Sequence, residues 1–223
     1  MCSPLESSPP GDQGEFAPAA ASDLVRRGVD IAAALLGLLL LWPVMLAIAI
    51  LIRLGTPGPA VFHQTRVGKG QRPFTFLKFR TLYADARERF PEMYAYRFTE
   101  EDLEKQTFKV REDPRVTPQG RWLRKTSLDE LPNLWNLLKG DMTLVGPRPE
   151  IPEMLQYYRG EMLEVFRVRP GITGAAQVSG RGELSIAEAI RVDVRYLRRR
   201  TLWSDLAVIA RTFLVVLRRE GAY

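Results

Sequence analysis

Between Ile31 and Ile52 the chain carries no charged side chain. As a helix, an apolar run of that length is enough to cross a bilayer core, which takes about 20 residues. Pro43 stands in the middle of the run, where a proline removes a helix hydrogen bond and bends the axis. Arg26 and Arg27 precede the run, and Arg53, Arg66 and Lys69 follow it. Positive charge gathers on the cytoplasmic side of membrane segments, so both ends are expected on that face. A re-entrant membrane helix over 23–54, bent at Pro43, satisfies this charge pattern. A spanning helix with a tolerated proline is the competing reading.

Beyond the Gly55-Thr56-Pro57-Gly58-Pro59 turn, an apolar and β-branched stretch (60–67) is followed by Gly68-Lys69-Gly70 and then Phe74, Phe76 and Phe79 at near-alternating positions. This pattern predicts a β-hairpin. The Gly68-Lys69-Gly70 turn lacks the spacing and the Lys-Ser/Thr ending of a phosphate loop. Residues 84–106 mix acids and arginines with scattered aromatics, as in surface helices with one lightly buried face. A short helix is predicted over 132–139, opened by Pro132, with Leu134, Leu137 and Leu138 on its core face. A second starts at Ser185, whose hydroxyl has capping-box spacing from Glu188, and runs to about Arg200. A third runs from Ser204 to Arg219, and its apolar side suits a membrane surface or a protein core equally. The fold class is therefore α+β: a small helix-rich cytoplasmic domain (55–223) with a short β-hairpin, anchored by the membrane helix and amphipathic surface helices.

Residues 1–22 are rich in Pro, Ser, Ala and Gly and contain no Lys or Arg. They read as a disordered tail, not a secretory signal, so the chain is expected to start in the cytoplasm. With 46% hydrophobic and 26% charged residues, the whole can hold one core plus one anchor. The net charge of +6 favours a polyanionic neighbour: nucleic acid, an anionic membrane or a phosphorylated substrate. Nucleic acid is disfavoured, because the basic residues are interleaved with acids and no binding motif accompanies them. The cluster Arg195, Arg198, Arg199 and Arg200 is expected to face anionic membrane lipids. Cys2 is the only cysteine, which excludes an internal disulfide and a cysteine-rich zinc site. His63 is the only histidine and lies in a strand, so histidine-based triads are disfavoured. Catalysis would fall to carboxylates and cations.

The strongest such grouping is Arg124-Lys125-Thr126-Ser127-Leu128-Asp129-Glu130-Leu131-Pro132, followed by Gly140-Asp141-Met142 and Gly146-Pro147-Arg148-Pro149-Glu150. Guanidinium presents a fixed donor fork to phosphate, which makes Arg124 and Arg148 candidate phosphate clamps. Ser127 and Glu130 also have capping-box spacing, so a structural role competes for Glu130.

Together these motifs resemble the bacterial sugar transferases, the monotopic phosphoglycosyl transferases. The resemblance continues in Phe62 to Gly68, Lys78-Phe79-Arg80-Thr81, Asp113 to Thr117, Arg169 to Gly174 and Asp193 to Tyr196. It covers roughly residues 24–221. It implies transfer of a sugar phosphate from a UDP-sugar to polyprenyl phosphate at the bacterial inner membrane, opening exopolysaccharide or glycoconjugate synthesis. It also implies Asp129 as nucleophile, Glu130 as metal or acceptor contact, and Mg²⁺ held by both carboxylates. Lys78, Arg80, Arg181 and Asp193 enter as substrate-site candidates on the same ground. Where the family has Ser-Pro at the membrane bend, this chain has Trp42-Pro43. A Mg²⁺-dependent hydrolase of lipid diphosphates or nucleotide sugars would use the same groups. The sequence leaves open the sugar, with 84–106 and 175–190 as the segments to inspect, and the oligomeric state, a homodimer included.

Overall fold

The computed structural model describes residues 20–107, 112–180 and 183–218. Arg181, Arg219 and the predicted tail up to residue 19 lie outside the described residues.

The apolar run forms one helix, α1 (Ala20–Gly55), whose helical assignment continues through Pro43. It begins three residues ahead of the predicted boundary, inside the stretch assigned to the tail, with Asp23 in its first turn. An acid there suits the positive end of a helix. Length and composition allow α1 to cross a membrane. Around Pro43, Leu39, Leu40, Trp42 and Val44 are 42% to 70% exposed.

Both ends of α1 are pinned to the same body. Near its start, Arg27 donates to the carbonyls of Leu137 and Leu138, and Asp30 accepts from Thr143 Oγ1 and Leu144 N. Near its finish, Ile48 and Ile52 pack with Ala60, Phe79 and Leu123.

The predicted hairpin is present as β1 (Val61–Val67) and β2 (Pro73–Phe79), antiparallel, with Val61 opposite Phe79. Its turn places Gly70 at φ 66, a conformation that costs glycine little because it has no Cβ. The following helices are α2 (Ala86–Arg89), α3 (Glu100–Lys105), α4 (Pro118–Thr126), α5 (Asn133–Lys139), α6 (Ala175–Ser179), α7 (Ile186–Arg198) and α8 (Leu202–Arg218). A second, parallel pair joins β3 (Thr143–Val145) to β4 (Gly171–Thr173). At three residues each, these strands carry too little pattern to be read from sequence. The main core gathers around α7, where Ile186, Ile190, Val194 and Leu197 pack with Ile151, Met154 and Phe166.

Several expectations are corrected. The fully buried face of α5 holds Asn133, Asn136 and Leu137, while Leu134 and Leu138 are only partly buried. Asn136 earns that place by clasping the edge of β2: its Nδ2 donates to Thr75 O at 2.7 Å and its Oδ1 accepts from Leu77 N at 3.1 Å. The capping box of α7 forms as predicted, but α8 starts two residues before Ser204, because Thr201 and Ser204 cap each other there. The arginine cluster does not face lipid as a group. Arg198 pairs with Glu161 and Glu164, and Arg200 pairs with Asp205 and donates to Val145 O. α8 is two-faced: Asp205 and Val208 are buried, while Trp203, Leu206, Phe213 and Leu214 stand 52% to 81% exposed.

Candidate active site

Asp129 and Glu130 sit on a single 3-10 turn (Leu128–Glu130) between α4 and α5. The flanking Leu128 and Leu131 pack on the Ile48, Ile52, Phe79 and Leu123 cluster, so the turn is wedged between the end of α1 and the hairpin. Ser127 enters it in the left-handed conformation (φ 58, ψ 15), a strained setting for a non-glycine residue, and its side chain makes no cap hydrogen bond to the turn, although its carbonyl accepts from Glu130 N at 3.3 Å. The capping box read from Ser127 and Glu130 therefore does not form. Glu130 instead accepts from Asn133 Nδ2, in the first turn of α5.

Asp129 is buried and opens on a cavity of about 400 Å³ that Lys78, Arg124, Glu130, Arg148 and Asp193 also line. Burial raises the Asp129 pKa and the neighbouring Glu130 adds to the rise, while Lys78, Arg124 and Arg148 oppose it. Lys78 projects from β2, its ammonium 5.7 Å from the Phe62 ring centroid. Its pKa falls to about 8 through burial, against the pull of Asp129 and Glu130. Arg124 donates from Nε to Thr81 Oγ1 at 3.1 Å and stands 3.8 Å from Asp113 Oδ2. Asp113 grips Arg115 twice, at 2.8 Å from both Nε and Nη2, and both residues line the cavity. The Asp113-Pro114-Arg115 motif holds this pair, but its spacing does not say which way the charges fold, so no role is legible there.

Arg148 reaches the cavity because two glycine-containing turns pack backbone to backbone. A Cβ on Gly171 would lie 2.1 Å from Gly146 N, so only glycine permits the approach. Asp193 accepts from the amides of Ala176, at 3.0 Å, and Arg148. Its pKa is nonetheless raised to about 7 by burial. A carboxyl so placed braces the Arg148 turn against α6 and α7, and it lines the cavity as well. Arg80, a predicted site residue, is elsewhere. Its guanidinium donates to Pro57 O, Thr56 O and Thr56 Oγ1, tying down the turn that follows α1.

Among the described residues no group of three or more His, Cys, Asp or Glu side chains could hold a metal. Mg²⁺ commonly takes one or two carboxylates and completes its shell with substrate phosphates and water. The adjacent carboxyls of Asp129 and Glu130, at a cavity bordered by arginines, fit that donor set.

A family model described as bacterial sugar transferase matches residues 21–219. The chain is 38% identical to a UDP-galactose-lipid carrier transferase of Erwinia amylovora over 91% of its own length and 42% of the relative's. It is 38% identical to an undecaprenyl-phosphate galactose phosphotransferase of Salmonella typhimurium, again over 91% of this chain and 42% of the relative. With a UDP-glucose:undecaprenyl-phosphate glucose-1-phosphate transferase of Caulobacter vibrioides it shares 41% identity over 92% of this chain and 74% of the relative. The chain thus spans less than half the length of the first two relatives.

Proposed function

This chain belongs to the bacterial sugar transferases, and from that premise we propose that it transfers a sugar phosphate from a UDP-sugar to polyprenyl (undecaprenyl) phosphate. One observation carries the reading: a buried carboxyl, Asp129, at a cavity where Lys78, Arg124 and Arg148 act on its charge. The Asp129 carboxylate attacks the sugar-bearing phosphorus, the P–O bond to the uridine-bearing phosphate breaks, and UMP departs with that electron pair. An oxygen of polyprenyl phosphate then attacks the same phosphorus and expels the carboxylate, giving polyprenyl diphosphate sugar. The lipid phosphate is already anionic at neutral pH and needs no general base. Arg124 and Arg148 neutralise the diphosphate, and Lys78 favours the ionised form of Asp129. Asp129 and Glu130 would hold Mg²⁺, which when bound supplies further neutralisation of phosphate oxygens.

In this reading α1 enters the inner membrane from the cytoplasmic face and returns. A straight crossing would set Arg26 and Ile52 about 39 Å apart across about 30 Å of hydrocarbon. The one charged body that contacts both ends would then have to follow the helix through lipid. The exposed apolar stretch around Pro43 and the outer face of α8 are the surfaces left for the membrane.

The test is to incubate the purified chain with UDP-sugars, Mg²⁺ and polyprenyl phosphate and to follow UMP and lipid product. Asp129→Asn is expected to lose activity by about a thousandfold or more, and intact-mass measurement to show one sugar phosphate on the wild-type chain before acceptor is added. Near-normal turnover by Asp129→Asn would sink the covalent step. Free sugar phosphate without lipid product would mean a hydrolase.

A further inference from the structure

Two acceptor oxygens on residues lining the cavity are buried without a hydrogen-bond partner among the described residues: Glu150 Oε2 and Gln177 Oε1. Buried polar atoms in folded proteins are nearly always paired, so two orphans on residues that line one cavity mark places where a ligand's donors are wanted. Glu150 is only 4% exposed. Its backbone carbonyl accepts from Val67 N at 2.7 Å, which anchors the residue while leaving the carboxyl uncommitted. That carboxyl lies near the charges of Arg66 and Arg148 and close to Tyr158. Gln177 donates its Nε2 to Ile172 O at 3.4 Å, which fixes Oε1 as the unsatisfied end of the amide. Arg148 acts on the charges of both Asp129 and Glu150, so Glu150 is one guanidinium removed from the nucleophile.

The partner these oxygens lack must bring hydrogen-bond donors. Ionised phosphate has none, whereas a hexose offers several hydroxyls on one rigid ring. We propose that Glu150 and Gln177 form the subsite that accepts hydrogen bonds from the hydroxyls of the donor's sugar, and so help set which sugar is taken. The two residues come from different elements, one following the Pro-Arg-Pro turn and the other within α6, and both line the same cavity. The inference rests on the reading above, in which the sugar phosphate stays on Asp129 after UMP leaves. A subsite beside Asp129 then remains filled through both half-reactions.

Binding ratios test this without requiring turnover. UDP-glucose, UDP-galactose, UDP-N-acetylglucosamine and UDP would be titrated calorimetrically into the purified full chain, Gln177→Met and Glu150→Gln. Gln177→Met, at a partly exposed position, keeps the length of the side chain and removes the acceptor. Each variant is expected to weaken the preferred UDP-sugar about tenfold and to narrow the preference among sugars, while UDP, which lacks the hexose, changes less than about twofold. If UDP weakens as much as the UDP-sugars, the orphans serve the ribose or uracil and the proposal fails. It fails equally if the sugar preference is unchanged in both variants. Wild-type turnover, measured alongside, tests the parent reading separately.

Discussion

Lys78 and Asp129 line the same cavity: burial lowers the lysine's pKa to about 8 and raises the carboxyl's, and each charge opposes the shift of the other. Turnover is therefore expected to rise with pH as Asp129 ionises and to fall near pH 8 as Lys78 loses its proton. A pH profile of kcat/KM reads both limbs. Lys78→Arg keeps the cation and should carry the alkaline limb upward. A wild-type profile that stays flat from about pH 7 to 9.5 would detach Lys78 from the reaction.

Arg80 and Arg124 are both site candidates in the sequence but have different partners in the fold. Arg80→Lys loses the forked grip on Thr56 and Pro57, so thermal unfolding should drop by a few degrees while KM for the UDP-sugar stays within about twofold. Arg124→Lys should do the reverse, raising KM or lowering kcat about tenfold or more with little loss of stability. Steady-state kinetics beside calorimetry separates them.

The ion pair of Arg26 and Asp205, at 2.7 Å, joins the first turns of α1 to α8, and Arg200 shares the same carboxylate. Both Arg26 and Asp205 are buried. Asp205→Ala leaves Arg200 without a carboxylate and Arg26 with Asp23 alone, at 3.3 Å, and is expected to cost about 3 kcal/mol, read as lost cooperativity in unfolding or lost yield from membranes. A double replacement of Arg26 and Asp205 by apolar residues of similar size should recover only the Arg26 share of that loss, because Arg200 still lacks its carboxylate.

Glu150 carries a pKa raised from 4.5 to about 7 by burial. A carboxyl whose folded pKa lies above its unfolded one leaves stability whole below the unfolded value and erodes it as pH rises through the folded value. The protein should thus unfold at lower temperature at pH 8 than at pH 5. Glu150→Gln should gain on the order of 3 kcal/mol at pH 8 and much less at pH 5. An equal effect at both pH values would contradict the assigned shift.

Much of the frame was legible because its signals are local. The charge-free run announces α1, alternation announces the hairpin, and Ser185 with Glu188 announces the start of α7. Arg124 and Arg148 are legible from guanidinium chemistry, Asp129 and Lys78 through motif resemblance, and the fold brings all four to one cavity. What escaped was the destination of side chains whose partners are distant in sequence. Asn136 is buried because β2 offers an unpaired edge, and Arg80 turns toward Thr56 because the post-helix turn exposes carbonyls. Ser127 had capping spacing but adopts a left-handed backbone that forbids it. The orphaned oxygens of Glu150 and Gln177 exist only once two remote segments close around a space.

Arg27 crowns the last carbonyls of α5, Asp30 holds the start of β3, and Ile52 seals Leu123 and Phe79 from water. The apolar helix is thus a support of the body that carries the Asp129 turn, as well as the segment offered to the membrane. Severing the chain after Gly55 would not liberate a working soluble half; it would uncover an apolar seam and leave the reactive turn without one of its buttresses.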